Sequence, residues 1–99
     1  MLRYPATQGQ RDINEFEIIA ALKSAGATVE PLTTGRIPDL LVGFREVNYL
    51  MEVKQQPVKG KVFASHCKLN KVQEEWHSTW QGQKAIVRTP EEALEVIGL

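Results

Sequence analysis

The sequence predicts an α/β fold in which a mixed sheet is flanked by helices. Two observations lead to this prediction. Helix-capping patterns precede three segments of helical length, and four short apolar runs of strand length lie between those segments. The order helix, strand, strand, strand, helix, strand, helix packs naturally as a sheet with helices on both faces. The 99 residues are 42% apolar, enough for one core but not two, so we expect one domain over residues 1–99.

The first helix is predicted from signals at both of its ends. Residues 1–11 lack periodicity and are expected to form an irregular arm. Asp12 and Glu15 have the spacing of a capping box, so the helix should begin there. Gly26 is typical of a helix C-terminus and should end it.

Three strands are predicted next, and the last two should form a hairpin. Residues 27–32 are a short run that ends near Pro31. Residues 39–44 and 48–53 are apolar runs of strand length, joined by a short polar link around Arg45 and Glu46.

A loop and a second helix should follow the hairpin. Residues 55–68 contain proline and glycine and show little periodicity, so they are expected to be mostly loop. Asn70 and Gln73 fit a second capping box, and the helix they start should end near Gly82.

The chain is expected to end with a buried strand and a short helix. Residues 85–87 are apolar and form the strand. Thr89 is a suitable N-cap, Pro90 suits the first helical position, and Gly98 should end the helix.

The composition excludes several classes of protein. No run of about 18 apolar residues is present, so no segment is expected to span a membrane. Residues 1–11 lack the apolar stretch of a secretory signal. The single cysteine, Cys67, cannot form an internal disulfide and suits a reducing compartment, so we expect a cytoplasmic protein.

Two carboxylates and a lysine are predicted to converge at one end of the hairpin. Glu52 and Lys54 share a face because side chains alternate along a strand. With a two- or four-residue turn, Asp39 lies directly opposite Glu52. Two such carboxylates repel unless a cation lies between them, and Mg²⁺ with oxygen ligands fits that role. Lys54 would either lower the pKa of a water molecule or stabilise charge that develops on a phosphate.

The first helix adds a third acid to this group. At 100° per residue, Glu15 falls on the apolar stripe of Ile18 and Leu22, whereas Glu17 lies opposite and should be solvated. A carboxylate on a core-facing stripe needs a partner, so Glu15 is predicted to point into the site. The alternative is that Glu15 only caps the helix, that Asp39 starts a strand, and that Glu52 and Lys54 form a solvated pair.

These residues carry a resemblance to a known family. Pro38-Asp39 followed by Glu52-Val53-Lys54 resembles the signature of the PD-(D/E)xK nuclease superfamily, with its restriction-endonuclease-like fold. The wider pattern resembles the small phage-type members of the virus-type replication-repair nuclease (VRR-NUC) family. The matching stretches also include Asn14-Glu15, residues 38–43, residues 50–54, and Leu69, Gln73, Trp76-His77 and Trp80.

The resemblance implies an αβββαβ core, with the short last helix added to it, and metal-dependent hydrolysis of DNA. It implies Asp39 and Glu52 as Mg²⁺ ligands, the carbonyl of Val53 as a third, and Glu15 as a further metal or water ligand; Mn²⁺ is expected to substitute for Mg²⁺. It implies Lys54 near the attacking water and Gln73 next to the site. It further implies a homodimer that acts on branched DNA such as four-way junctions, in the cytoplasm of a bacterial or phage-infected cell.

A basic segment changes the meaning of the overall charge. Lys and Arg together balance Asp and Glu, 12 against 12, which by itself argues against nucleic-acid binding. Residues 54–71, however, contain no acid, and the asymmetry favours phosphate contacts beside the site over a merely solvated basic loop. Besides Lys54, the predicted DNA-binding residues are Lys59, Lys61, Lys68 and Lys71, with Arg36 and Arg11 added to the same surface.

Other chemistries were weighed against this hypothesis. His66, Cys67 and His77 do not have the spacing of a closed zinc site. Trp76 and Trp80, at helical i, i+4 spacing, favour core packing or a dimer interface over base stacking. The alternative functions are a non-catalytic DNA-binding or assembly module on the same fold and an RNA-directed enzyme, and the intact acidic motif argues against both.

Overall fold

The predicted order of elements is confirmed by a computed structural model, which describes residues 13–56 and 68–99. The predicted arm and the proposed cap at Asp12 lie outside the described residues, as do Lys59, Lys61, His66 and Cys67. The elements are α1 Ile13–Ser24, β1 Thr28–Pro31, β2 Leu40–Phe44, β3 Val47–Val53, α2 Lys71–Thr79, β4 Lys84–Val87 and α3 Pro90–Val96.

The four strands form one mixed sheet in the order β1-β2-β3-β4. The pairs β1–β2 and β2–β3 are antiparallel, and β3–β4 is parallel. The parallel pair requires a crossover connection, and the segment containing α2 supplies it. The predicted α/β class and mixed sheet are therefore correct.

A two-residue turn at Arg45 and Glu46 sets the register of the hairpin. Both residues have positive φ, 52° and 68°, the conformation that matches the twist of the flanking strands. Leu40 therefore pairs with Met51, and the same register carried one residue further places Asp39 opposite Glu52. The shorter of the two predicted turn lengths is the correct one.

The core lies between one face of the sheet and helices α1 and α3. Its fully buried members come from all of these elements: Ile18, Leu22, Leu40, Val42, Met51, Val87 and Ala93. Because side chains alternate along each strand, the neighbours of Leu40 and Met51 point to the opposite face, where α2 lies. Helix α2 has no buried residue, so its position depends on polar contacts.

Local hydrogen bonds end helix α1 at Gly26 as the sequence predicted, whereas α2 ends at Thr79, before the predicted Gly82. After α1, Gly26 has φ +99°, its N–H donates to the carbonyl of Lys23, and the Ala27 N–H donates to that of Leu22, each at 3.0 Å. This is the Schellman pattern, and it turns the chain into β1. Within the described residues, no helix is long and apolar enough to cross a membrane.

Candidate active site

Asp39 and Glu52 meet at the end of the β2–β3 hairpin. Glu52 is buried, with 3% of its surface exposed, and Asp39 is half-buried. Asp39 Oδ2 accepts a hydrogen bond from the Val53 N–H at 2.8 Å, which anchors its carboxyl group to β3. The predicted convergence of these acids is confirmed.

The pairing of two acids changes the protonation of Glu52. Burial raises the pKa of Glu52 to about 8, and the hydrogen bond to Asp39 and the charge of Asp39 add to the effect, while Lys54 opposes it. A carboxyl–carboxyl hydrogen bond requires one proton. With its pKa raised to about 8, Glu52 is protonated at neutral pH in the absence of a cation.

Glu15 lies close enough to influence this pair. It is 3% exposed, whereas Glu17 is exposed, as the helical stripe predicted. Its charge contributes to the raised pKa of Glu52. Glu15 is therefore buried and its charge acts on Glu52, while its role as a metal or water ligand stays a prediction.

Gln73 joins helix α2 to the acidic pair. Its Nε2 donates to Glu52 Oε2 at 3.2 Å. Its Oε1 accepts from the Asn70 N–H at 2.9 Å, and Asn70 Oδ1 accepts from the Gln73 N–H at 2.8 Å, which completes the predicted capping box. One side chain therefore starts the helix and contacts the site.

The backbone around Lys54 is held from two sides. Its N–H donates to the carbonyl of Val87 at 3.0 Å, and its carbonyl accepts from Asn14 Nδ2 at 3.0 Å. Asn14 also donates to the carbonyl of Arg88 at 3.4 Å. Asn14 thereby ties the start of α1 to the ends of β3 and β4, a role that the sequence reasoning missed.

His77 is a second residue whose position was not predicted. It lies one turn after Gln73 on α2, and its Nε2 is buried without a hydrogen-bond partner among the described residues. Burial lowers the pKa of His77, and the positive charges of Lys84 and Lys54 lower it further. Both effects lower the pKa of His77 and so favour the neutral imidazole.

The site offers few protein ligands, which suits a magnesium ion that keeps several water molecules better than a metal whose ligands all come from the protein. Among residues 13–56 and 68–99, no group of three or more His, Cys, Asp or Glu side chains is arranged to hold a metal. The arrangement instead offers two carboxylates, Asp39 and Glu52, with the Val53 carbonyl on the same strand end. Magnesium commonly takes one or two carboxylates and completes its shell with water and phosphate oxygens.

The predicted DNA-binding residues that the structure describes are exposed. Arg36 lies in the loop that leads to Asp39, Lys68 precedes the cap of α2, and Lys71 is the first residue of that helix. Their exposure is compatible with phosphate contacts, and their DNA-binding role stays a prediction. Lys59 and Lys61 lie outside the described residues.

Of the two placements expected for the tryptophans, core packing of both is wrong, and a dimer interface stays a prediction. Trp80 is 43% exposed, Trp76 is half-buried, and their rings stack on each other with centroids 5.0 Å apart and an interplanar angle of 15°. The four-residue spacing indicated a buried stripe, but α2 contacts the sheet through polar groups instead.

The comparisons with known proteins agree with this geometry at the level of the fold. The sequence matches no protein-family model and no curated protein. A solved structure described as a VRR_NUC domain is similar, with a TM-score of 0.63 and 20% sequence identity over 84% of this chain and 88% of that chain. The chain has the fold of a VRR_NUC domain, a nuclease-type α/β fold, and the predicted resemblance is confirmed to that extent.

Proposed function

We propose that this chain is a divalent-metal-dependent endonuclease that hydrolyses phosphodiester bonds of DNA. The observation that carries the proposal is the meeting of buried Glu52 and half-buried Asp39 at the end of the hairpin, where the Val53 N–H anchors Asp39. A structural ion pair would combine an acid with a base, whereas two acids placed together favour a cation-binding role.

The two acids and the residues next to them have distinct roles in the proposed reaction. Asp39, Glu52 and the Val53 carbonyl would hold Mg²⁺, which when bound polarises the phosphate and lowers the pKa of a water molecule. Gln73 holds Glu52 in place through Oε2. Lys54, on the same strand face as Glu52, would stabilise the negative charge that develops on the phosphate.

Glu15 and the basic residues complete the proposal. Buried near Glu52, Glu15 would orient a metal-bound water or serve as a further ligand. Arg36, Lys68 and Lys71, exposed around the site, would contact phosphates along the bound strand. The predicted contribution of Lys59 and Lys61 belongs to the same proposal.

The proposal also includes a more specific substrate and oligomeric state: the chain would act as a homodimer on branched DNA. Resolution of a four-way junction needs two nicks, and two copies of a small single-site chain would supply them. Light scattering at assay concentration tests this, because an active species that is strictly monomeric would remove the paired-nick mechanism.

A cleavage panel tests the central proposal. Linear, flapped and four-way DNA are incubated with the chain in Mg²⁺, in Mn²⁺ and in EDTA. Cleavage should depend on the metal and fall at least about 100-fold in Asp39→Asn, Glu52→Gln and Lys54→Met, an effect of about 3 kcal/mol.

Glu17→Gln is the matched control, because Glu17 is an exposed acid on the same helix as Glu15. Its cleavage rate should equal that of the parent chain. DNA binding without cleavage in either metal would identify a non-catalytic module, and unchanged cleavage by the three site variants would refute the assignment.

A further inference from the structure

Helix α2 ends in a stacked pair of tryptophans, one of which is open to solvent. Trp80, directly after the helix, is 43% exposed, and its other surface is covered by Trp76 and Gly82. A Cβ at position 82 would lie 2.7 Å from Trp80 Nε1, so the indole packs directly on the glycine backbone. Contacts with Trp76 and Gly82 therefore fix the orientation of the Trp80 ring, and the rest of the side chain is exposed to solvent.

The end of the helix that carries Trp80 is also fixed relative to the sheet. Lys84 Nζ donates to the carbonyl of Trp80 at 2.8 Å and to that of His77. A lysine at this position complements the negative end of the helix dipole. The ring pair is therefore presented by a helix that is held at both ends, by Gln73 on Glu52 and by Lys84 on its last carbonyls.

The position of the pair relative to the acids suggests its ligand. Gln73 contacts Glu52, and Trp80 lies seven residues further along, or about 10 Å at the rise of an α-helix. That distance is short enough for one bound strand to reach both the acids and Trp80. Trp80 is 43% exposed, and aromatic surface that is open to solvent can stack with a nucleobase. Lys84 adds positive charge at the same helix end.

We infer that Trp80 stacks on an unpaired nucleobase of the DNA strand that enters the site at Asp39 and Glu52. The inference rests on the proposed function and narrows its substrate class. Bases inside a duplex present no free face, so a stacking residue at this distance selects DNA that has a single-stranded segment beside the cut. A duplex without unpaired bases would gain nothing from Trp80.

Tryptophan fluorescence tests the inference without depending on cleavage. The chain has two tryptophans, so Trp76→Phe reports on Trp80 alone and Trp80→Phe on Trp76 alone. In an Asp39→Asn background, a 20-nucleotide single strand, the matching blunt duplex and a forked duplex are titrated. The single strand and the fork should quench Trp80 strongly, and the blunt duplex should quench it weakly.

Affinity measurements with substituted chains give the size of the effect. Trp80→Ala should weaken binding of the single strand and the fork by about 5- to 150-fold and leave the blunt duplex within about twofold. Trp80→Phe should restore most of the loss. Gly82→Ala, which displaces the indole, should give an intermediate loss. Val72→Ala, at a 53% exposed position of the same helix, should change nothing.

Three outcomes would overturn the inference. Equal weakening of single-stranded and duplex DNA by Trp80→Ala would indicate a general contact, and no weakening would indicate no contact. A change from dimer to monomer in sedimentation would place Trp80 in an interface between copies of this chain. If the parent chain cuts no DNA yet binds single strands through Trp80, the nuclease proposal fails and the stacking site stands.

Discussion

Gln73 and Glu52 are joined by a hydrogen bond of 3.2 Å that crosses from helix α2 to strand β3. The same glutamine closes the capping box at the start of α2 through its Oε1. The position of the start of the helix and the orientation of the buried carboxyl group therefore depend on the same side chain. Because α2 buries no residue, this contact and the lysine at its other end determine where the helix lies.

Substitution of Gln73 should separate the two roles of the residue. Gln73→Glu keeps an acceptor for the Asn70 N–H, so the capping box and the stability of the helix should survive. It replaces the donor that faces Glu52 with a carboxylate, so cleavage should fall at least about tenfold. Gln73→Ala should lose both, with about 1 kcal/mol of stability. Urea unfolding and cleavage rates of the two variants distinguish these effects.

The stability of the metal-free chain should decrease as the pH rises. The folded chain keeps the proton of Glu52 up to about pH 8, whereas the unfolded chain releases it near pH 4.5. Between these values the folded state binds more protons, so the free energy of unfolding falls with pH. The loss should amount to a few kcal/mol across this window.

Glu52→Gln should remove this dependence and make the chain more stable than the parent at pH 8 in EDTA. Urea titrations at pH 5, 6.5 and 8 measure the difference, with Glu17→Gln as the control that keeps the parent's profile. Added Mg²⁺ should restore the parent chain at pH 8 and have little effect on Glu52→Gln. If the free energy of unfolding of the parent chain did not change with pH, the raised pKa of Glu52 would be contradicted.

Asn14 is predicted to stabilise the site through the backbone. Asn14→Asp replaces the donor to the carbonyls of Lys54 and Arg88 with a carboxylate that repels both. The substitution should cost about 1–3 kcal/mol, the range for a buried hydrogen-bonding group left unpaired. Urea unfolding measures it, and Glu17→Gln on the exposed side of α1 should have no comparable effect.

His77 should titrate below the usual histidine range. Its pKa is lowered by burial and by Lys84 and Lys54, and Lys84→Met should therefore raise it. The chain has two histidines, so NMR titration of a His66→Asn variant follows His77 alone. Because the pKa of His77 is lower in the folded chain than in the unfolded chain, the free energy of unfolding should decrease as the pH falls through 6.5. A pKa at or above 6.5 would show that His77 is not held in this environment.

The sequence predicted the site best where short-range rules of strand pairing and helix periodicity determine which way a side chain points. Strand alternation and a short turn placed Asp39 opposite Glu52, because a hairpin leaves few registers open. The helical stripe correctly separated buried Glu15 from exposed Glu17. The contact of Gln73 with Glu52 was expected only from the family resemblance, since nothing in the local pattern fixes where α2 lies.

Long-range contacts explain what the sequence did not reveal. Asn14 binds carbonyls 40 and 74 residues away, and no local pattern signals such bonds. The second helix was expected to reach Gly82 but ends at Thr79, where Lys84 from the next strand binds the last carbonyls. Core packing was one of the two placements expected for the tryptophans, and the sequence did not exclude it because i, i+4 spacing is the same on a buried helix and on an exposed one.

The two-residue turn at Arg45 and Glu46 also limits how this gene can change in length. Adding or deleting one codon between Asp39 and Glu52 would shift the pairing by one residue and send one carboxyl group to the opposite face of the sheet. Amino acids in the hairpin can be exchanged, but their number cannot. We therefore expect single-residue insertions here to abolish activity, whereas the same insertion after Gly98, beyond α3, should be tolerated.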